Sequence, residues 1–132
     1  MSDLGLTKQT TLSMEAAEAA VRDELAAVGF GVLTEIDVQV TLKTKIDVDR
    51  PPYKILGACN PVLANQALTH DEAIGLLLPC NVTLSDHGDG TTVSIIDPVV
   101  MLGIAGDDPE MLALASEARE KLAGALDRVP SE

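Results

Sequence analysis

Aromatic side chains are almost missing from this sequence, which has no Trp, one Tyr and one Phe. A platform on which nucleic-acid bases stack is therefore excluded. Cations are scarce as well. Nine Lys and Arg stand against 21 acids, for a formal charge of −12. A phosphate-binding surface needs clustered cations to release counterions, so neither nucleic acid nor an anionic membrane is expected as a partner. The longest apolar stretch, Ala73 to Pro79, is far short of the roughly 20 residues that cross a bilayer. Met1 to Thr10 carries no apolar signal core, so the expected location is the cytoplasm. There the two cysteines, Cys59 and Cys80, are expected to be free thiols. Two histidines, His70 and His87, are too few for a zinc set without a CxxC, and both read as solvated loop residues. No Gly-rich phosphate loop, nucleophile elbow or HExxH helix is present. No reaction is assigned on this basis, and no cofactor is expected. The acidic excess suits either a halophilic source or an ordinary protein kept dispersed by like charge.

What is present suits a single domain. The 132 residues are 46 % hydrophobic, enough for one core. The domain is expected over residues 1–127, with 128–132 as a frayed tail. Gly5 to Leu12 reads as a strand. Ser13 is placed to cap a helix whose apolar stripe is Met14, Ala17, Val21, Leu25 and Val28, ended by Gly29. Gly31 to Gln39 alternates, with Val32, Thr34, Ile36 and Val38 on one face and Leu33, Glu35, Asp37 and Gln39 on the other. Val40 to Val48 is ambiguous, and Asp37 or Thr41 could cap a short helix there. Tyr53 to Cys59 is a strand, and Asn60-Pro61 opens a short helix through Leu68. Asp71 to Leu78 fits a turn of helix or an extended lead-in. Cys80 to Ser85 and Thr91 to Ile96 form a hairpin around a Gly-containing turn. Asp97-Pro98 breaks the second strand. Asp108-Pro109 starts a last helix with the stripe Met111, Ala115, Ala118, Leu122, Ala125 and Val129. Two long amphipathic helices and an antiparallel hairpin predict an α+β two-layer sandwich, with helices on one face of a mainly antiparallel sheet. The other sheet face would be wet or would cover a second subunit.

Two Cys-Asn pairs sit where strands meet turns: Cys59-Asn60 and Cys80-Asn81. If their strands run antiparallel, the thiols meet at one end of the sheet; if parallel, they lie at opposite ends. Cys59 precedes a helix cap, where the helix dipole favours thiolate. Thiol exchange or binding of a soft metal by both sulfurs is the chemistry this would allow. Buried packing is the commoner use of free cysteine. A second candidate is polar. Glu35 and Asp37, two apart on one strand face, resemble the paired carboxylates of acid/base or hard-metal sites, with Lys43 as neutralising partner.

At these residues the sequence resembles a known prokaryotic family, domain-of-unknown-function family 302. The resemblance rests on three blocks: Gly29 to Val38, Tyr53 to Pro61, and Ile74 to Asn81. It spans nearly the whole chain. It implies a fold akin to the TATA-binding protein, β-α-β(4)-α, and often a homodimer. Similarity of fold to a DNA-binding protein does not carry DNA binding with it. The family has no agreed reaction, so the resemblance supplies no catalytic residue. Its members differ in whether both cysteine positions are Cys; this chain has both.

The leading expectation is thus a homodimeric cytoplasmic binding or structural module, holding an unidentified small ligand or metal ion if any. The alternative is a thiol-based redox, sulfur-transfer or soft-metal protein using Cys59 and Cys80.

Overall fold

A computed structural model describes residues 4–132; Met1 to Asp3, part of the expected 1–127 domain, lie outside the described residues. Five strands, β1 (Gly5–Thr10), β2 (Gly31–Asp37), β3 (Tyr53–Cys59), β4 (Cys80–Asp86) and β5 (Thr91–Ile96), form one sheet. Its spatial order is β1-β5-β4-β3-β2, and every neighbouring pair is antiparallel. The helices are α1 (Met14–Ala27), α2 (Val38–Ile46), α3 (Pro61–His70), α4 (Pro98–Gly103) and α5 (Pro109–Arg128), with a 3₁₀ turn at Glu72–Leu77. The long helices α1 and α5 pack on each other and on one face of the sheet. This is the two-layer α+β sandwich of the β-α-β(4)-α pattern, with the shorter helices set into the connections.

Each helix start is built by a side chain that accepts an otherwise unpaired backbone N–H. Ser13 Oγ accepts from Ala16 N at 3.1 Å, and Asp37 Oδ1 from Val40 N at 3.0 Å. Asn60, Asp97 and Asp108 do the same for α3, α4 and α5, each followed by proline in the first turn. Proline has no N–H to lose there, and its fixed φ suits the helix. The helix over Pro98–Gly103 went unforeseen: Asp97-Pro98 ends β5 and also starts α4. The end of α1 is a Schellman motif. Gly29 at φ +88° lets its own N–H reach Ala26 O and the N–H of Phe30 reach Leu25 O. Only a residue without Cβ adopts that φ cheaply. The motif turns Phe30 into the core.

Alternation along the strands supplies the core. Leu56, Ala58, Val82, Leu84, Val93 and Ile95 are sealed against Val21 and Leu25 of α1 and Ala115, Leu122 and Ala125 of α5. Full burial of each large aliphatic contributes about 1.5–3 kcal/mol. The opposite face carries Thr7, Gln9, Asn81, Thr83 and Ser94, with an apolar group at Ile36, Ile55 and Tyr53.

Two expectations need correction. The first concerns β2, where a register shift lies between Val32 and Thr34. Leu33 bulges out, 69 % exposed. A bulge places one extra residue against the partner strand and so reverses the facing of everything after it. Val32 opposes Ala58 and Glu35 opposes Leu56, so Val32, Glu35 and Asp37 face the helices while Thr34 and Ile36 face away. The simple alternation would have put Glu35 and Leu33 together on the open face. The strand also stops at Asp37, which caps α2. The second correction concerns the tail. Residues 128–132 do not fray: Arg128 ends α5, Val129 is sealed, Pro130 O accepts from Thr10 Oγ1 at 2.7 Å, and Ser131 O accepts from Thr11 N at 2.7 Å.

Candidate functional site

Because β3 and β4 run antiparallel, the end of one meets the start of the other. Cys80 stands opposite Ala58, one residue from Cys59. From the strand rise and spacing, the two cysteine α-carbons lie about 6 Å apart. Beyond them the chain closes over a cavity of about 50 Å³. Cys59 and Cys80 form part of its wall, Phe30 enters from the Schellman turn, and Leu63 and Ala67 come from α3. Ile74 of the 3₁₀ turn, Met101 and Leu102 of α4, and Ala118 of α5 complete it. That volume exceeds the roughly 10–15 Å³ a water needs, but water also needs two to four polar partners. The wall offers few. The side-chain Oδ1 of Asn60 is already engaged, accepting from Leu63 N at 3.1 Å. The cavity therefore suits an apolar or soft occupant.

The two thiols differ. Cys80 is 6 % exposed, whereas Cys59 is half-buried beside the first turn of α3. Burial, reinforced by the nearby Cys59, pushes the Cys80 thiol up to about 11. It stays protonated at neutral pH. Asn81 is exposed and paired with Gly57, on the sheet face away from the cavity. Of the four residues in the two Cys-Asn pairs, three gather at the cavity and Asn81 does not.

The polar candidate comes apart. Glu35 faces α1, where Arg22 Nη2 donates to it at 2.7 Å and Lys54 Nζ lies at 3.2 Å. Asp37 is occupied as the α2 cap. Lys43 pairs instead with Asp47 at 2.8 Å and Asp49 at 3.1 Å on the exposed end of α2. Glu35 thus belongs to a four-residue charge network with Arg22, Lys54 and Glu18. Burial alone would raise the Glu18 carboxyl, but hydrogen bonds from Lys54 and Arg22 outweigh it and hold the group below its ordinary value. Lys54 is raised by its hydrogen bonds to Glu18 first and then to Glu35. Such a network ties α1 to the β2–β3 edge and leaves no free acid or base. His70 is likewise engaged, by Asp108 and by Glu110 at 3.0 Å. Among the described residues, no group of three or more His, Cys, Asp or Glu is placed to hold a metal.

Over residues 6–129 the sequence matches the family described as domain of unknown function DUF302. The chain belongs to this family. Its fold superposes on the crystal structure of an uncharacterised conserved DUF302 protein from Bacillus stearothermophilus with a TM-score of 0.89. The two are 26 % identical, and the superposition covers 97 % of this chain and 99 % of that one. No curated protein matches the chain. The DUF302 assignment thus brings a fold and no reaction. No helix among the described residues is long and apolar enough to cross a membrane.

Sequence reasoning reached Cys59, Asn60 and Cys80 but not the rest of the wall. Met101 and Leu102 sit on α4. The Asp97-Pro98 pair that caps α4 is the same signal that marked Asn60-Pro61 and Asp108-Pro109, and it could have revealed the helix.

Proposed function

We propose that this DUF302 chain is a binding module, a cytoplasmic homodimer that holds one small ligand in the cavity beside Cys59 and Cys80. The observation that carries this reading is the cavity itself: a mostly apolar space of about 50 Å³ in an otherwise close-packed core. Apolar cavities take up apolar guests. The homodimer is supported by the face the helices leave open, where Ile36, 49 % exposed, pairs with Ile55 beside Tyr53. Val40 and Ile46 of α2 are also exposed.

Xenon, a small apolar probe, tests the cavity. Saturable NMR shifts at Phe30 and Leu63 are expected on xenon addition, and Ala64→Phe, which fills the mouth, should abolish them. Absence of saturable shifts, or unchanged shifts in Ala64→Phe, refutes the reading. Sedimentation tests the homodimer, which Ile36→Lys should split.

A second reading, thiol redox or sulfur transfer, is favoured by one observation. Cys59 is partly open to solvent beside the positive end of α3 while Cys80 is sealed behind it. Cys59 would be the reacting sulfur. Alkylation of both cysteines at the rate of sealed thiols would dismiss it.

A further inference from the structure

Residues 61–78, made of α3 and the 3₁₀ turn, cross from β3 to β4 without pairing to any strand. Within this segment only Leu63, Ala67 and Ile74 are buried, and all three line the cavity. Its polar ties to the rest of the fold are fewer still. The caps and turns of the segment bond within residues 60–78. Among the described residues, only His70 reaches beyond them, to Asp108 and Glu110 at the start of α5. A segment with few buried apolar contacts and one exposed polar tie opens locally at lower cost than the sheet beneath it. The opposite wall, Ala58 of β3, Leu102 of α4 and Ala118 of α5, belongs to other elements. Opening the segment therefore uncovers one wall of the cavity and leaves the other standing. Resting on the reading of the cavity as the binding site, we propose that residues 61–78 are a lid that opens to admit the ligand, clasped shut by His70 against Asp108 and Glu110.

The clasp is sensitive to pH. The charged groups around His70 are acids: Asp108 and Glu110 pair with it, Asp71 follows it in the chain, and Glu117 lines the same groove between α3 and α5. No charged residue lies on α4. The hydrogen bond to Asp108, with the charges of Glu110 and Asp71, outweighs desolvation and raises the imidazole above its ordinary 6.5. A raised histidine holds its partners fully below 6.5 and releases them as pH rises through its folded value. The lid thus loosens as the solution turns alkaline.

The test is amide hydrogen exchange on the full chain, comparing wild type with His70→Gln and Asp108→Asn at equal pH, so that base catalysis of exchange cancels. Asparagine keeps the α5 cap and removes the charge. In wild type the amides of α3 should exchange faster than those of β4 and β5, as a local opening requires. Below 6.5 both variants should speed α3 exchange by about threefold, the effect of an exposed ion pair. For His70→Gln the difference should vanish in alkaline buffer, and saturation transfer should show xenon exchanging faster below 6.5 by a similar factor. Amides of α3 as protected as those of β5, or unchanged in both variants, overturn the inference. A His70→Gln effect that persists undiminished in alkaline buffer, or a xenon exchange rate equal in both proteins, overturns it as well. The xenon equilibrium separates the two readings. Saturable xenon shifts with unaltered α3 exchange remove the lid alone, whereas no xenon shift removes the cavity reading whatever α3 does.

Discussion

Gly57 stands directly across from Thr34 in the β2–β3 pair, on the open face of the sheet. A β-carbon at position 57 would collide with Thr34 Oγ1 and come within 2.7 Å of Pro79 Cγ. The hydroxyl can rotate away, but the proline ring cannot. Gly57→Ala should therefore destabilise the protein by about 2 kcal/mol, within the range of overpacked sites. Thr34→Ala in the same background should recover part of that loss. Urea denaturation reads both, and a Gly57→Ala variant as stable as the parent would refute the crowding.

The sealed thiol gives a reactivity prediction. With its pKa near 11 against an ordinary 9.0, Cys80 has about a hundredfold less thiolate at neutral pH than free cysteine. Iodoacetamide should modify Cys59 first and Cys80 at least about a hundredfold more slowly than free cysteine. Peptide mass spectrometry over time distinguishes them. Modification of Cys80 at the rate of free cysteine would contradict the burial.

His70 predicts a pH dependence. Its hydrogen bond to Asp108 raises the imidazole above its ordinary 6.5, helped by Glu110 and Asp71, and the same bond lowers Asp108 below 3.8. A raised histidine contributes stability that is complete below 6.5 and is lost as pH rises through its folded value. A lowered carboxyl contributes above 3.8 and is lost as pH falls through its folded value. The Tm advantage of wild type over His70→Gln should peak between 3.8 and 6.5 and shrink in alkaline buffer. A difference that stays unchanged from that window into alkaline buffer would remove the ion pair as its cause. Since the pair is exposed, added salt should reduce the advantage.

Deleting residues 129–132 removes a sealed Val129 and the carbonyls that accept from Thr10 and Thr11. Burial of one valine plus two hydrogen bonds sums to about 3 kcal/mol. The truncated chain should melt many degrees lower in calorimetry. An unchanged melting temperature would restore the picture of a loose tail.

Much of the architecture was legible because it depends on local chemistry. Ser13, Asn60 and Asp108 each announce a helix by a cap, and the apolar stripes of α1 and α5 name the residues that seal against the sheet. The juxtaposition of Cys59 and Cys80 was legible only as a condition on strand direction, since pairing is non-local. The bulge at Leu33 was not legible. Alternation from Val32 to Val38 looks unbroken in one dimension, and only the register against β3 shows the extra residue. That one residue moved Glu35 from solvent to Arg22 and Lys54. Met101 was missed for a different reason: a proline after Asp97 reads equally as the end of a strand and as the start of a helix.

The same bulge has a consequence for association. β2 is a border strand of the sheet, and an uninterrupted border offers free backbone groups to any passing strand. Leu33 breaks that ladder and increases the local twist. Joining two chains into one continuous ten-stranded sheet along β2 is thereby discouraged, so the homodimer proposed above would use the broad surface carrying Ile36 and Ile55 instead.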